Sequence, residues 1–362
     1  MVKYSVKRGN IRMVTRVLVA DDSAFMRKVL SDILSSDPSI EVVGTAHDGE
    51  EAVRRVRELR PDVVTMDVEM PKMNGLQALK QIMAENPTPV VMVSATTAEG
   101  AQETLKCLEY GAVDFIQKAG GKTIALNMFE VGNQLIQKVK AASGLPADRF
   151  RKLAAYRSEA LKLTAPQATG KHVVVIGSSS GGPPTLAKLV PQIPAGLPAP
   201  ILFVQHMPAG FTKSFAERLS ELAQFPVKEA EEGDVLENGR GYLAPGGYHM
   251  EVYRRRVDGD VKEAVHLNED PPVNYVRPSV DVTMFSAAEV YGKNTIGVVL
   301  TGMGSDGAQG MKFIKDQGGR TITQDRETSL IYGMPKAVAD IGAADEIAPL
   351  GEIAAKIVRM LT

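Results

Sequence analysis

The N-terminal part of the chain alternates short apolar runs with amphipathic segments. Five runs fall within residues 16–140, and they are Val17–Ala20, Glu41–Gly44, Val63–Met66, Val90–Val93 and Val113–Ile116. The intervening helices are predicted to begin near Ser23, Gly49, Gly75, Ala98 and Lys122. Five strand–helix units of this length predict an α/β domain built on a doubly wound parallel sheet.

A second α/β pattern occupies residues 172–362. Three apolar, β-branched runs are predicted to be buried strands, namely His172–Ile176, Ala199–His206 and Thr295–Thr301. They predict a Rossmann-like, three-layer α/β/α domain. Residues 141–171 lack the alternation of apolar runs and amphipathic segments, and they carry a net charge of about +4. They contain one possible helix, at Arg151–Leu163. This pattern is typical of a linker. The predicted organisation is a tail (1–15), a first domain (16–140), a linker (141–171) and a second domain (172–362).

Composition excludes several classes of protein. The 362 residues are 44% hydrophobic, which is enough for two real cores. The single cysteine, Cys107, excludes a disulfide framework and is expected to be a buried thiol in a helix at Glu99–Tyr110. No apolar run reaches membrane-spanning length. The basic start, Met1–Arg16, lacks the core of a signal peptide, so it is either a disordered arm or an extension before a start near Met13. We expect a cytoplasmic protein without membrane insertion.

Polar side chains follow the strands of the first domain. Asp21 and Asp22 come after the first strand, Asp67 after the third, Ser94 after the fourth and Lys118 after the fifth. The carboxyl ends of parallel strands meet at one edge, so these side chains are expected to converge there. Three carboxylates with no nitrogen or sulfur ligand favour Mg²⁺, and Lys118 could contact a phosphoryl oxygen. Each residue alone could equally be a solvated loop residue.

This region resembles a response-regulator receiver domain, a flavodoxin-like fold. The matching residues are Asp21-Asp22-Ser23, Met66–Gly75, Val93-Ser94-Ala95 and Asp114–Lys118. The resemblance implies that Asp67 is the phosphorylated residue, that Asp21, Asp22 and Asp67 hold Mg²⁺, and that Ser94 and Lys118 form the switch. The family usually has proline after that lysine, whereas this chain has Ala119. A cis bond without proline costs about 3 kcal/mol, so a looser turn is expected at Lys118.

The second domain carries a turn made only of glycine and serine. Residues Gly177–Gly181 fit G-x-S-x-G, a pattern that holds a serine on a sharp turn between a strand and a helix. Ser179 is the central serine of that pattern, whereas Ser178 and Ser180 would point elsewhere. Such glycine-rich turns also cradle phosphates or merely close a loop.

A base and an orienting acid follow two other strands. His206 ends the second strand and Asp306 follows the third, so Ser, His and Asp end three strands of one sheet. His249 is the rival base, since it follows a Pro-Gly-Gly turn into a predicted hairpin. Asp306 could instead cap a helix, or both cap and orient. The order Ser…His…Asp differs from that of α/β hydrolases.

These motifs resemble the methylesterase domain of the chemotaxis protein-glutamate methylesterase family (CheB). The matching segments are Ile176–Pro183, Gln205–Pro208, Leu300–Ala308 and Tyr332–Pro335, with Ser180 where the family often has Thr and Ser305 where it often has Asn. The resemblance implies Ser179 as nucleophile, His206 as general base and Asp306 as its orienter. It also implies the backbone N–H groups of Met303 and Ser180 as oxyanion donors, with no cofactor in the esterase site.

The expected function is therefore a serine hydrolase controlled by phosphorylation. The resemblance implies that it demethylates glutamyl esters on methyl-accepting chemotaxis receptors, that it also deamidates receptor glutamines in many members, and that a chemotaxis histidine kinase phosphorylates it. Two alternatives assign a different function to the second domain. A DNA-binding domain is disfavoured because residues 172–362 hold 18 Lys and Arg against 23 Asp and Glu, and no nucleic acid is expected as a partner. A nucleotide-phosphate site at the serine turn lacks the P-loop lysine.

Overall fold

The structure is a computed structural model that describes residues 14–94, 97–118, 124–145, 163–167, 170–257 and 259–362. The chain divides into two compact units, and the division falls between residues 155 and 156. The predicted tail before residue 14, the helix start near Lys122 and the predicted helix at 151–163, apart from its last residue, lie outside the described residues. None of the described helices combines the length and apolarity that crossing a bilayer requires.

The first unit is a five-stranded parallel sheet flanked by helices. Its elements are β1 Thr15–Ala20, α1 Ala24–Ser35, β2 Ile40–Ala46, α2 Gly49–Leu59, β3 Val63–Asp67, α3 Gly75–Glu85, β4 Val90–Ser94, α4 Ala98–Glu109, β5 Asp114–Gln117 and α5 Ile124–Ser143. The strand order is β2-β1-β3-β4-β5, with every neighbouring pair parallel. This is the flavodoxin-like order, which confirms the predicted fold of this unit.

Side-chain caps fix where the helices of this unit begin. Ser23, Asp48, Asn74 and Thr97 each accept a hydrogen bond from a backbone N–H in the first turn of α1, α2, α3 and α4 respectively. Such caps satisfy N–H groups that have no partner within the helix. In α1 and α2 the helix begins within four residues of the preceding strand, so the polar residues after these strands stay at the sheet edge.

The second unit contains a seven-stranded parallel sheet and a separate hairpin. Its elements are β6 Val173–Ser178, α6 Gly182–Leu189, β7 Ile201–Gln205, α7 Thr212–Leu222, β8 Val227–Glu229, β9 Gly241–Leu243, β10 His249–Val257, β11 Asp260–Asn268, α8 Val280–Tyr291, β12 Thr295–Val299, α9 Ala308–Asp316, β13 Arg320–Gln324, α10 Met334–Asp340, β14 Glu346–Ala348 and α11 Leu350–Met360. The sheet order is β14-β13-β12-β6-β7-β9-β8, and β10 pairs with β11 as an antiparallel hairpin.

Strand β6 is the central strand of this sheet. It pairs with β12 on one side and with β7 on the other. The strands that follow β6 in the chain are therefore added first on one side of it and later on the other. Ligands bind in parallel sheets at such a switch point, outside the carboxyl ends of the strands. Gly177 on β6 lets α8 approach, because a β-carbon there would lie 2.4 Å from Val280 Cγ1. The predicted α/β/α fold is confirmed.

Candidate functional sites

Three aspartates meet at the carboxyl edge of the first sheet. Asp21, Asp22 and Asp67 each offer a carboxylate oxygen, and these oxygens lie within 4.8 Å of one another. Asp21 and Asp67 are buried, whereas Asp22 is exposed. Ser23 N–H donates to Asp21 Oδ1 at 3.0 Å, and Glu69 N–H donates to Asp67 Oδ1 at 3.3 Å. The convergence predicted for these three side chains is therefore present.

Lys118 is the cation of this cluster. Its Nζ donates to Asp67 Oδ2 at 2.5 Å and lies 3.0 Å from Asp21 Oδ2. Burial raises the pKa of Asp67 to about 6, although the Lys118 ammonium acts in the opposite direction. Burial acts to lower the pKa of Lys118, but the Asp67 and Asp21 carboxylates outweigh it and the pKa lies above its ordinary value. One ammonium thus balances part of a triply acidic site.

The donor set fits a hard divalent cation. All three ligands are carboxylate oxygens, and one of them is on an exposed residue, which leaves room for water ligands. Asp21 Oδ2 is buried and lies 3.0 Å from the Lys118 ammonium, and a carboxylate oxygen paired on one side keeps a second lone pair for a cation. These properties match Mg²⁺, which binds to few carboxylates and keeps several waters.

Ser94 lies on the neighbouring strand and contacts helix α4. It is buried, its Oγ donates to Gly100 O at 3.4 Å, and Thr104 Oγ1 lies 2.7 Å from it. Thr104 also donates to Gly100 O at 2.6 Å. The sequence analysis missed Thr104, because its role depends on a contact between a strand end and a helix face. The Ala119 segment lies outside the described residues.

The serine turn joins β6 to α6 at the carboxyl edge of the second sheet. Ser179 N–H donates to Thr301 O at 3.0 Å, which ties the turn to the end of β12. Gly181 has φ = +75°, a left-handed conformation that favours glycine, and a β-carbon there would lie 2.7 Å from Leu330 Cβ. Ser179 is only partly buried, and its hydroxyl makes no side-chain hydrogen bond within the described part of the chain. The turn therefore presents Ser179 with an unengaged Oγ.

Gln205, at the end of β7, connects the serine turn to the histidine segment. Its Nε2 donates to Ser179 O and to His206 O, both at 3.0 Å, while its Oε1 accepts from Ser178 Oγ at 2.7 Å. A buried amide that uses both of its ends in this way fixes the two segments relative to each other. Gln205 was missed as a positioning residue, since glutamine at a strand end is a weak signal without the fold.

We expect Gly182→Ala to damage both stability and activity. Its new β-carbon would lie 2.0 Å from Gln205 Oε1, and Gln205 can move away only if its hydrogen bonds to the serine turn break. Overpacking of this kind costs about 2 kcal/mol in unfolding free energy. Gly144→Ala is the control, because its backbone is not left-handed and a β-carbon there would meet no atom closer than 3.6 Å. Chemical denaturation and ester hydrolysis measure both effects, and equal losses in the two variants would contradict the prediction.

His206 and Asp306 form a direct pair. His206 Nε2 lies 2.7 Å from Asp306 Oδ2, and the histidine side chain is 9% exposed. Because an ionised carboxylate only accepts hydrogen bonds, Nε2 carries the proton and Nδ1 is the basic nitrogen. Burial acts to raise the pKa of Asp306, but His206 and the surrounding donors hold it well below its usual range. The carboxylate is therefore ionised at neutral pH.

The Asp306 carboxylate contacts the start of α8, whereas the sequence suggested it as a possible cap of another helix. Its oxygens accept hydrogen bonds from Val280 N at 2.7 Å, Asp281 N at 3.2 Å and Ser279 Oγ at 2.7 Å. Asp306 was a candidate cap for the helix that follows it, but that helix, α9, begins after Gly307 without a side-chain cap. The carboxylate lies at the positive end of α8 instead, where N–H groups stabilise its charge.

His249 has a different environment. It is buried, its Nδ1 accepts from Ser279 N at 3.2 Å, and its Nε2 lies 3.3 Å from Pro271 O. Both ring nitrogens are thus engaged by backbone groups that lead into α8. Within the described residues, His206 and not His249 contacts Asp306.

The loop after β12 lies against the serine turn. A β-carbon on Gly302 would lie 2.9 Å from Ser179 Cβ, so only glycine allows this approach. Gly302 uses its own N–H and C=O in bonds to Ile331, Gly333 and Met334. The next N–H, that of Met303, donates no hydrogen bond within the described residues. Ser180, the second predicted oxyanion donor, is buried and follows Ser179 on the serine turn, and its C=O accepts a hydrogen bond from Thr301 Oγ1.

A flavodoxin-like unit with clustered aspartates, joined to a parallel-sheet unit with a serine turn beside a His–Asp pair, defines a class: a receiver domain coupled to a serine hydrolase. The family comparisons give the particular family. The model for CheB methylesterase matches residues 174–357, and the model for the response regulator receiver domain matches residues 17–128. The chain belongs to the CheB methylesterase family and carries a receiver domain, so the resemblance is confirmed and neither alternative output is supported.

Curated relatives match nearly the whole chain. A protein-glutamate methylesterase/protein-glutamine glutaminase of Pyrococcus abyssi is 52% identical over 347 residues, which cover 95% of this chain and 93% of the relative. One of the same name from Archaeoglobus fulgidus is 47% identical over 348 residues, covering 96% and 98%. The solved CheB methylesterase catalytic domain of Thermotoga maritima superposes with a TM-score of 0.50 at 44% identity, covering 53% of this chain and 100% of that one.

Proposed function

We propose that this chain is a phosphorylation-controlled protein-glutamate methylesterase that also acts as a protein-glutamine glutaminase. Its substrates would be glutamyl methyl esters and glutamines of methyl-accepting chemotaxis receptors, and a chemotaxis histidine kinase would be its phosphodonor. The receptor segments are cytoplasmic in such systems, so the enzyme would act in the cytoplasm. The observation that carries the proposal is the 2.7 Å His206–Asp306 pair beside the serine turn.

Ser179 would attack the ester carbonyl while His206 takes its proton. Because Asp306 engages Nε2, we assign the proton transfer to Nδ1. The C–OCH₃ bond then breaks, His206 returns the proton to the leaving methoxide, and methanol departs from the acyl-enzyme. A water molecule, deprotonated by the same nitrogen, attacks the acyl carbon and releases the receptor carboxylate together with Ser179. For glutamine the leaving group is ammonia, and the steps are otherwise the same.

Asp306 would hold the ring and stabilise the imidazolium that forms in both steps. Its low pKa supports this role, since the carboxylate remains charged across the working pH range. The negative oxygen of the tetrahedral intermediate needs donors that are already in place. The Met303 N–H, which is uncommitted in the described structure, and the Ser180 N–H are the proposed donors.

Asp67 is the proposed phosphorylation site, and Asp21, Asp22 and Asp67 would hold Mg²⁺. The ion would neutralise negative charge on the phosphoryl group during its transfer. Lys118, already at Asp67 Oδ2, would contact the phosphoryl oxygens. Ser94 would turn from Gly100 O toward the phosphoryl group, which would change its contact with α4. The proposed boundaries are a tail at 1–15, the receiver at 16–140, a linker at 141–171 and the catalytic domain at 172–362.

The direct test is methanol release from methylated receptor with and without acetyl phosphate. We expect release by the protein alone and faster release with the phosphodonor. Ammonia release from receptor carrying glutamine measures the second activity. Absence of methanol release under both conditions would reject the proposal.

We expect Asp22→Ala to weaken Mg²⁺ binding about tenfold with little effect on folding. Asp22 is exposed and contributes one of the three clustered oxygens, so its removal takes away a ligand without opening the core. Calorimetric titration with Mg²⁺ measures the affinity. Glu69→Gln is the matched control, because it removes an exposed charge beside Asp67 that lies outside the oxygen cluster. Equal Mg²⁺ affinity in Asp22→Ala and the unaltered protein would remove Asp22 from the site.

A further inference from the structure

A second buried acid lies behind Asp306. Asp281, in the first turn of α8, is 3% exposed, and its Oδ1 accepts from Gly310 N at 2.7 Å. Its Oδ2 accepts from Asn274 Nδ2 at 3.0 Å. The same Asn274 Nδ2 donates to Asp306 Oδ1, also at 3.0 Å. A single amide group therefore joins two buried carboxylates.

The chemistry of these contacts allows only one arrangement. Two ionised carboxylates accept hydrogen bonds and donate none, so the atom between them must be the NH₂ group with both of its hydrogens used. Burial and the charge of Asp306 raise the pKa of Asp281, while the donors Gly310 N–H and Asn274 Nδ2 favour its ionised form. Asp281 must accept from Gly310 N and from Asn274 at once, and only a carboxylate offers two accepting oxygens there.

The backbone is shaped to bring this amide into place. Asn274 and Tyr275 are the central residues of a tight turn, with φ of +53° and +64°, closed by hydrogen bonds between Val273 and Val276. Both positions lie in the left-handed region, which asparagine tolerates better than most residues. Asn274 directs its amide at the acid pair, whereas Tyr275 is 96% exposed.

We propose that Asn274 and Asp281 are positioning residues for the esterase reaction, acting together to hold the Asp306 carboxylate in the orientation that His206 requires. This inference rests on the proposed function, since it assumes that Asp306 orients His206. Asn274 supplies one of the donors to Asp306 Oδ1, and Asp281 holds Asn274 through the opposite hydrogen. Neither residue contacts the reacting atoms.

The test measures kcat and KM for methylated receptor with full-length variants in acetyl phosphate. Asn274→Gly removes the amide and keeps the left-handed backbone, so we expect kcat to fall about tenfold with KM unchanged. Asp281→Asn should fall by a similar factor, because its NH₂ group would replace one of the two accepting oxygens and face either Gly310 N–H or the Asn274 amide. The double variant should lose little more than either single variant. Tyr275→Gly, in the same turn, is the matched control and should match the unaltered protein.

A further variant tests whether Asn274 acts by donating hydrogen bonds or only by its shape. Asn274→Asp has nearly the same shape and tolerates the same φ, but it inserts a third carboxylate between two others. We expect it to lose more kcat than Asn274→Gly. We also expect the low-field proton NMR signal of the His206 Nε2–H to shift upfield in Asn274→Gly, whereas a mere loss of folded protein would lower the intensity of this signal without moving it. If Asp281→Asn fails to fold, the two Asn274 variants and the NMR signal decide the question.

Three results would overturn the inference. They are unaltered kcat in Asn274→Gly, Asn274→Asp no worse than Asn274→Gly, and a double variant whose loss is the product of the two single losses. Ser179→Ala, measured in parallel, distinguishes this failure from failure of the proposed function. If Ser179→Ala remains active, the catalytic assignment is wrong; if it is inactive while the Asn274 and Asp281 variants match the unaltered protein, only the positioning role is wrong.

Discussion

Replacing Ser179 or His206 by alanine is expected to reduce methanol release by about 10⁴-fold or more, to the background rate. Ser179 supplies the attacking oxygen, and His206 moves a proton in both halves of the reaction, so neither role has a substitute. Asp306 moves no proton. Asp306→Ala should therefore retain measurable activity, and Asp306→Asn should retain less than Asp306→Ala. An asparagine NH₂ facing Nε2 would force the proton onto Nδ1 and remove the base.

The combined variant Ser179→Ala with His206→Ala should be scarcely worse than either alone, because the two residues act as a unit. Circular dichroism establishes that each variant is folded before its rate is measured. His249→Ala is the informative comparison. It removes a buried ring that holds backbone groups, so it should lower the unfolding temperature and preserve the rate per folded molecule. An active His206→Ala alongside a folded but inactive His249→Ala would show that the base is misassigned.

Asp67→Asn is expected to abolish activation by acetyl phosphate while preserving basal methanol release. The amide is not a nucleophile toward phosphorus, and it still accepts a hydrogen bond from Lys118 at one oxygen. Coupling between a regulatory and a catalytic site commonly amounts to about 5- to 150-fold, and this is the range of activation that should disappear. The measurement is the ratio of rates with and without the phosphodonor.

Glu69→Gln serves as the control for Asp67→Asn, since it changes charge two residues away at an exposed position. It should keep the full activation ratio. Phosphorylation itself can be followed by the release of phosphate on treatment with hydroxylamine, a nucleophile that cleaves an acyl phosphate. Normal activation of Asp67→Asn would place the phosphoryl group on another residue.

The sequence was most informative where a parallel sheet converts order along the chain into proximity. Ser179, His206 and Asp306 each follow a strand, and β6, β7 and β12 are neighbours in the sheet. Because every such strand ends at the same edge, identifying the strands was sufficient to predict that the three residues lie at one edge of the sheet. The same reasoning brought together Asp21, Asp22 and Asp67.

Contacts that depend on helix and loop placement were not accessible in this way. Thr104 meets Ser94 across a strand–helix packing contact, and Ser279 reaches Asp306 across 27 residues. No periodicity encodes such a distance. The expectation that Asp306 caps its own following helix came from local preference, but the tertiary fold offers it the start of α8, where three donors converge.

Because Asp306 is held by the start of α8, we expect enzymatic activity to depend on whether that region of the protein is folded. The proposed catalytic residues follow the central strands β12, β6 and β7, and Asp306 contacts the start of α8, whereas none of them follows the edge strands β8 and β14. Proteins open locally in units of different stability, and edge strands open more readily than central ones. In rising denaturant, activity should therefore outlast hydrogen-exchange protection at the edges and vanish with that of β6. The esterase reaction thus reports on the integrity of the sheet's centre.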